Sequence, residues 1–210
     1  MPESDRAKLQ QLFTGDLPGM REHLKMTPYR ALSIAVPAER REGSVLLLLF
    51  QRNGEWYFPL IQRHDYEGVH ANQISFPGGK IENEDNSKYE TALRETKEEI
   101  GVEPHKIEWI GELSEIYIPP SNFLVSAFVG CYKEEPFFVK EEKEVKEIIE
   151  VRVSDLLKPE VVKETQVTVQ GGLKLKTPYL ELNNQVVWGA TAAILAEFKA
   201  LVLAQNELFR

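Results

Sequence analysis

Three glutamates on one predicted helix are the residues of this sequence best suited to chemistry. Glu95, Glu98 and Glu99 are spaced at i, i+3 and i+4, so on a helix their side chains are neighbours and repel by roughly 0.2 to 0.5 kcal/mol per pair. A bound cation would turn this repulsion into attraction. Because no Cys or His pair lies near them, the oxygen ligands favour Mg²⁺ or Mn²⁺ over structural zinc. Such ions also bind phosphates, so the pattern predicts a phosphate-bearing substrate.

The alternative interpretation of these glutamates is a solvated acidic helix face. The sequence has 33 Asp and Glu against 25 Lys and Arg, so an acidic surface alone would not be unusual. Arg94 and Gly101 flank the glutamates, however, and Gly79 precedes Arg94 by 15 residues. This combination favours the metal site over the solvated face.

Local signals define the helix that carries the glutamates. Ser87 and Glu90 have the S-x-x-E spacing of a capping box, which satisfies free N–H groups in the first turn. Gly101 supplies a left-handed C-terminal stop. A second set of residues recurs at the helical period and is predicted to face the core: Tyr89, Ala92, Leu93, Thr96 and Ile100.

The segment from Gly79 to Val102 resembles the signature of the Nudix hydrolases. In that signature a glycine and a spaced glutamate precede R-E-U-x-E-E-x-G-U, where U is apolar. Here the spacing from Gly79 to Arg94 is one residue longer, Asp85 stands where the first glutamate would be, and Thr96 occupies a normally apolar position. These departures leave the three glutamates in place. The resemblance implies a Nudix-type α/β/α sandwich and hydrolysis of a phosphoanhydride.

The sequence upstream of this signature resembles the corresponding extension of the coenzyme A pyrophosphatases. Arg63 and the run Phe76-Pro77-Gly78-Gly79 match that pattern, and residues 187–192 resemble the stretch that opens its last helix. Three positions differ from the pattern, which has a small residue, an arginine and a glycine there: His64, Gly68 and Asn72.

This second resemblance implies the substrate. Coenzyme A or acyl-CoA would be cleaved to adenosine 3′,5′-bisphosphate and (acyl)phosphopantetheine. ADP-ribose or another nucleoside diphosphate derivative is the alternative substrate for the same chemistry. A nucleotide-binding sensor without activity is an alternative of a different class, which retention of all three glutamates disfavours.

The resemblance also implies roles for individual residues. The metal ligands are expected to be Glu95, Glu98, Glu99 and the Gly79 carbonyl. The catalytic residues are expected to be Glu98, Glu144 and Arg94. Arg94 is interpreted as a brace for carboxylates, and Glu144 as the general base, for which Glu98, Glu141 and Glu142 are alternatives. The substrate is expected to contact Arg63, Phe76 and Gly78, although Arg63 has the equal alternative of pairing with a carboxylate.

Turn signals and apolar runs predict the elements that position these residues. Asn53-Gly54, between apolar runs 45–50 and 56–61, is a strong hairpin signal. Further strands are predicted at 107–113, 124–132, 148–153, 161–169 and 173–182, with a second hairpin turn at Gly171-Gly172 and a charged loop at 134–147. Residues 190–209 predict a helix packed on the sheet or against another subunit. This order predicts an α/β fold in which helices cover a mixed sheet. Such a sheet contains both parallel and antiparallel strands, as in α+β proteins.

Composition limits the remaining possibilities. At 210 residues and 42% hydrophobic, the chain can form one core, so we expect a helical extension at residues 1–28 packed on a single domain at 29–210. A net charge of −8 argues against nucleic-acid binding. No run reaches the roughly 18 apolar residues that span a bilayer, and Cys131 is the only cysteine. We therefore expect a cytoplasmic protein with a nucleotide-containing substrate, without a membrane partner, whose apolar last helix permits a homodimer.

Overall fold

The computed structural model describes residues 3–27, 35–64, 73–168, 172, 174–205 and 209. Its helices are α1 (Glu3–Gln11), α2 (Met20–His23), α3 (Lys88–Ile100), α4 (Val153–Leu157) and α5 (Gly189–Gln205). Its strands are β1 (Arg41–Arg52), β2 (Glu55–Arg63), β3 (Ile74–Ser75), β4 (Gly78–Lys80), β5 (Ile107–Ile118), β6 (Phe123–Tyr132), β7 (Val145–Arg152), β8 (Val162–Thr168), β9 (Lys174–Leu182) and β10 (Gln185–Val187).

A seven-stranded sheet forms the centre of the fold. Its main order is β3-β2-β1-β6-β5, with β4 paired to β1 and β7 paired to β2. The pair β1–β6 is parallel and the other pairs are antiparallel, so the sheet is mixed, as predicted. Strand β1 pairs with β4 near its beginning, at Gly43 to Val45, and with β2 near its end, at Phe50 to Arg52. Strands β8, β9 and β10 form a separate small sheet.

Both faces of β1 are covered. Successive side chains of a strand point to opposite faces, and Leu46 and Leu48 pack in the cluster that includes residues of α3, whereas Leu47 and Leu49 pack in the cluster that includes residues of α5. Helices therefore lie on both sides of the sheet, which confirms the predicted α/β/α sandwich. Because α5 packs in the core of its own chain, its apolar circumference does not require a second subunit.

The hairpin predicted at Asn53-Gly54 is present between β1 and β2. Asn53 has φ 53° and Gly54 has φ 80°, and two consecutive positive φ values match the tight turn that suits the twist of paired strands. The last helix ends at Gln205 within the described residues, and Phe209 packs edge-on against Trp56. The second predicted turn includes Gly171, which lies outside the described residues.

The N-terminal residues form two helices instead of one continuous helical segment. Gly19, at φ 51°, precedes α2 and follows Pro18, and both residue types interrupt helices. Leu9, Leu12 and Met26 are nevertheless buried in the core cluster on the α5 side. The domain boundary predicted between residues 28 and 29 lies outside the described residues.

Several predicted boundaries differ from the observed ones. The charged segment 134–147 is a loop only to residue 144, because Val145 already belongs to β7. Val153, predicted as the end of that strand, begins α4. No helix among the described residues is both long and apolar enough to cross a membrane.

Candidate active site

Helix α3 has the ends that the sequence predicts. The Ser87 hydroxyl accepts a hydrogen bond from the Glu90 N–H at 3.1 Å, whereas the Glu90 carboxylate accepts from Asn86. Gly101 is left-handed, at φ 75°, and its N–H donates to the Lys97 carbonyl at 2.9 Å. These caps fix the start and stop of the helix, and so they fix the direction in which each glutamate points.

Glu99 is the most buried of the three glutamates, with 1% of its side chain exposed. One carboxylate oxygen accepts a hydrogen bond from the Arg63 guanidinium, and the other accepts from the Gly78 N–H, each at 2.8 Å. Arg63 also donates to the Gly78 carbonyl at 2.8 Å. Arg63 therefore pairs with a carboxylate in this structure, which was one of its two predicted roles, and joins the end of β2 to α3 and β4.

Gly78 and Gly79, before α3, lie in the short strand β4, which pairs with the beginning of β1. Gly78 has φ 151°, and a Cβ there would lie 2.7 Å from the Val45 Cα. A Cβ on Gly79 would overlap the Glu95 carboxylate. Glycine is needed at Gly78 because the β1 backbone approaches too closely for a side chain, whereas a side chain at Gly79 would require the Glu95 carboxylate to move.

Arg94 binds one carboxylate of the loop before α3 and two carboxylates of α3 itself. Its Nε and Nη2 donate to the two oxygens of Asp85, each at 3.0 Å, and its Nη1 donates to Glu95 at 3.0 Å and Glu98 at 3.1 Å. The paired arginine lowers the pKa of Asp85, and the carboxylates raise the pKa of Arg94. These contacts are the ones expected of a brace, and they give Asp85 a defined partner at the position where the sequence departs from the Nudix signature.

We expect Asp85→Ala to destabilise the protein by about 1–3 kcal/mol at pH 7, because it removes two charge-assisted hydrogen bonds from Arg94. The pKa of Asp85 is lowered on folding, so this contribution is complete above the ordinary aspartate pKa and is lost progressively as the pH falls from that value through the lower folded pKa. Urea unfolding at pH 7 and pH 3 measures both effects. Glu84→Ala, in the same loop but exposed, is the matched control, and equal stability of both variants would refute the role of Asp85.

Burial raises the pKa values of two of the glutamates. The pKa of Glu99 rises to about 7 because the carboxyl group is withdrawn from water, an effect that exceeds the opposing influence of Arg63 and the Gly78 N–H. The pKa of Glu95 is raised for the same reason, against the influence of Arg94. Both groups therefore favour the protonated form more than an exposed glutamate does. A cation nearby would favour their charged forms.

The raised pKa of Glu99 predicts how the stability of the metal-free protein depends on pH. Between the ordinary value near 4.5 and the folded value of about 7, the folded chain keeps a proton that the unfolded chain has released, so stability falls as the pH rises through this window. Glu99→Gln should remove most of this fall, and Glu95 should leave a smaller change of the same sign. Urea unfolding with a chelator at pH 5, 6, 7 and 8 measures it. Parallel curves for the two proteins would contradict the assignment.

The segment that carries Glu144 lies against the end of α3. The Val139 N–H donates to the Ile100 carbonyl and the Glu141 N–H donates to the Glu99 carbonyl, each at 3.0 Å. The Glu144 carboxylate is close enough to Glu99 to raise its pKa. The structure thus brings the predicted base near the predicted metal ligands.

The three candidate bases of this segment differ in their contacts. The Glu141 carboxylate accepts from the Lys143 N–H at 3.2 Å, and the Glu142 carboxylate pairs with Lys140 at 3.0 Å. The Glu144 carboxylate has no hydrogen bond or ion pair with any residue that the structure describes. Of the three, Glu144 is thus the one with neither carboxylate oxygen engaged by a described residue.

The carboxylates suit a hard divalent cation in their chemistry, but they do not converge. Among the residues described, no three His, Cys, Asp or Glu side chains are arranged to hold a metal ion. The reason is that Arg94 lies between Glu95 and Glu98, while Arg63 holds Glu99. Glu98 is 57% exposed and so has room to change its rotamer. Glu95 and Glu99 offer oxygen ligands of the kind that Mg²⁺ and Mn²⁺ bind. Burial and the charge of a neighbouring glutamate raise the pKa of each, so a nearby cation would relieve their repulsion.

Some predicted site residues lie elsewhere or cannot be placed. Phe76 is 1% exposed and packs in the core cluster on the α5 side, so its side chain supports the fold and the predicted substrate contact is not available to it. Of the three positions that differ from the coenzyme A pyrophosphatase pattern, Gly68 and Asn72 lie outside the described residues. The third, His64, contacts the Glu142 carbonyl at 3.0 Å. Sequence reasoning did not predict this contact. The only signal that pointed to His64 was a histidine at a position where the coenzyme A pyrophosphatase pattern has a small residue.

Comparison with known proteins identifies relatives of this chain. The model of the NUDIX domain matches residues 40–170. The peroxisomal coenzyme A diphosphatase NUDT7 of Mus musculus is 30% identical over 173 residues, covering 80% of this chain and 72% of that protein. The uncharacterized Nudix hydrolase NudL of Yersinia enterocolitica is 32% identical over 136 residues, covering 65% and 69%. A C. elegans Ap4A hydrolase has a similar fold, with a TM-score of 0.53 at 13% identity, over 78% of this chain and 98% of that one.

Proposed function

The chain belongs to the Nudix family of pyrophosphatase hydrolases, and on that premise we propose that it cleaves coenzyme A or acyl-CoA. The products would be adenosine 3′,5′-bisphosphate and (acyl)phosphopantetheine. The observation that carries this choice of substrate is the similarity to a coenzyme A diphosphatase over 80% of the chain. This similarity extends over 173 residues, far more of the sequence than the family signature from Gly79 to Val102. A cytoplasmic location, expected from the sequence, belongs to the same proposal.

Family members generally use a divalent cation, and Mg²⁺ or Mn²⁺ is the cation proposed here. Glu95, Glu98, Glu99 and the Gly79 carbonyl would hold it. When bound, such an ion polarises phosphoryl oxygens and lowers the pKa of water. The oxygen ligands and the close approach of Glu95 to the Gly79 backbone support this assignment.

The remaining residues position groups or move a proton. Water attacks one phosphorus of the diphosphate, a new P–O bond forms, and the bond to the bridging oxygen breaks. Glu144 would accept the proton of the attacking water, which its available carboxylate allows. Arg94 would orient Glu95 and Glu98, and Arg63 would orient Glu99, because these guanidinium groups contact the carboxylates directly. Positioning of this kind reduces the rearrangement needed when substrate binds.

Incubation of the purified protein with coenzyme A and Mg²⁺ tests the proposal. Mass spectrometry should detect both products in equal amounts, and omission of the metal should abolish them. A parallel panel with acetyl-CoA and ADP-ribose identifies the preferred substrate. Cleavage of ADP-ribose with intact coenzyme A would reject the proposed specificity while keeping the chemistry. Tight nucleotide binding with no cleavage of any compound would instead indicate a sensor.

A further inference from the structure

The end of β2 carries two adjacent side chains that reach different parts of the site. The pairing of β2 with β7 changes register between Gln62 and Arg63, and Arg63 lies opposite Val145. Register changes of this type re-aim side chains and are frequent beside active sites. Here Arg63 reaches Glu99, whereas the next residue, His64, reaches the segment that carries Glu144.

The contact of His64 is with backbone and not with a side chain. Its Nε2 lies 3.0 Å from the Glu142 carbonyl oxygen. Because a carbonyl oxygen only accepts hydrogen bonds, Nε2 must carry the hydrogen. A small residue, which the coenzyme A pyrophosphatase pattern has at this position, is too short to make this bond.

The turn that receives this bond is compact. The N–H groups of Glu144 and Val145 both donate to the Glu141 carbonyl, at 3.2 and 2.9 Å. The Glu141 N–H fastens the beginning of the turn to α3. The His64 bond fastens its middle to β2. The Glu144 carboxylate is thus carried on a turn whose place is set from two sides.

We propose that His64 is a positioning residue that sets the place of Glu144 relative to Glu99. This inference rests on the proposed function, in which Glu144 is the base. Arg63 and His64 are consecutive, so the end of β2 holds both the buried carboxylate and the turn of the base at a fixed separation. Catalytic rates are sensitive to this separation, since a displacement of about 1 Å can cost on the order of 100-fold.

Three single variants test the inference. His64→Ala should lower kcat about 10-fold and leave KM and the Kd for Mn²⁺ within about twofold, because a residue that acts only through the Glu142 carbonyl does not bind substrate or metal itself. His64→Gln, whose amide can still donate to the carbonyl, should recover most of kcat. His105→Ala removes a histidine that is 73% exposed and far along the chain, and it controls for loss of a surface imidazole. Full activity of His64→Ala, or a loss shared with His105→Ala, would overturn the inference.

A double variant separates positioning from general loss of stability. If His64 acts through Glu144, then His64→Ala should cause no further loss of kcat in protein that already carries Glu144→Gln. An equal loss in both backgrounds would mean that His64 acts by another route. These rates are measured on whichever compound of the panel the wild-type protein cleaves, so failure with coenzyme A alone rejects the specificity and not the role of His64.

Hydrogen exchange supplies a readout that does not require turnover. In His64→Ala, amides of residues 141–147 should exchange at least about fivefold faster than in the wild type, whereas the amides of α5 should be unchanged. His105→Ala should not show this change. If the wild-type protein cleaves no compound of the panel, the proposed function fails, and unaltered exchange in His64→Ala would independently reject the contact.

Discussion

Replacement of Glu98 by Gln is expected to lower kcat at least about 100-fold, while the protein stays folded. Glutamine keeps the size of the side chain but removes its negative charge, so its neutral amide oxygen attracts a divalent cation less strongly than a carboxylate does. Glu98 is 57% exposed and has one ion pair, with Arg94, so its loss should change stability by less than about 1 kcal/mol. Steady-state kinetics with coenzyme A and Mg²⁺, together with thermal unfolding, measure the two effects separately.

Glu103→Gln is the matched control for this variant. Glu103 is also an exposed glutamate near the end of α3, and its ion pairs are with surface residues, Lys97 and His105. It should retain wild-type kcat. Near-normal activity of Glu98→Gln, or equal losses in the two variants, would remove Glu98 from the site. A loss of Mn²⁺ affinity in Glu98→Gln alone would add direct support for its role as a ligand.

Glu144→Gln is expected to lower kcat about 10²- to 10⁴-fold, the contribution typical of a general base. Because its carboxylate forms no hydrogen bond or ion pair with the described residues, thermal stability and Mn²⁺ affinity should stay close to the wild-type values. Steady-state kinetics, thermal unfolding and metal titration by calorimetry test these points.

The neighbouring glutamates provide the comparison for this result. Glu141 and Glu142 lie in the same turn, but their carboxylates are occupied by the Lys143 N–H and by Lys140. Their replacement by Gln should lower kcat far less than Glu144→Gln. A larger loss at Glu141 or Glu142 would move the role of base to that residue.

Local sequence signals predict much of this fold. The ends of α3 follow from Ser87 and Gly101, which act on the nearest turns of backbone, and the first hairpin follows from Asn53-Gly54. Local signals do not predict strand β4. It has only three residues, two of them glycines, and it is a strand because it pairs with the distant β1. The division of the N-terminal residues into two helices, by contrast, does have a local signal, because Pro18 and Gly19 interrupt the helical pattern.

The site is predictable in composition but not in detail. The spacing places both Glu98 and Glu99 beside Glu95, yet one residue along a helix rotates the side chain by about 100°. Glu99 therefore lies buried beneath Arg63, whereas Glu98 points toward solvent and Arg94. The pairing of Asp85 with Arg94 depends on the path of the preceding loop, which the sequence does not specify.

Glu197, on α5, is fully buried and accepts hydrogen bonds from the Gly19 N–H, His23 and Ser114. Through Gly19 and His23, these hydrogen bonds connect the N-terminal helical region to α5. Excising the family domain at its matched limits, residues 40–170, would delete two of these partners together with Glu197 itself. It would also remove α5, which packs on one side of β1, so Leu47 and Leu49 would become exposed to solvent. A minimal fragment of this kind should aggregate, so the smallest usable catalytic unit must keep both ends of the polypeptide.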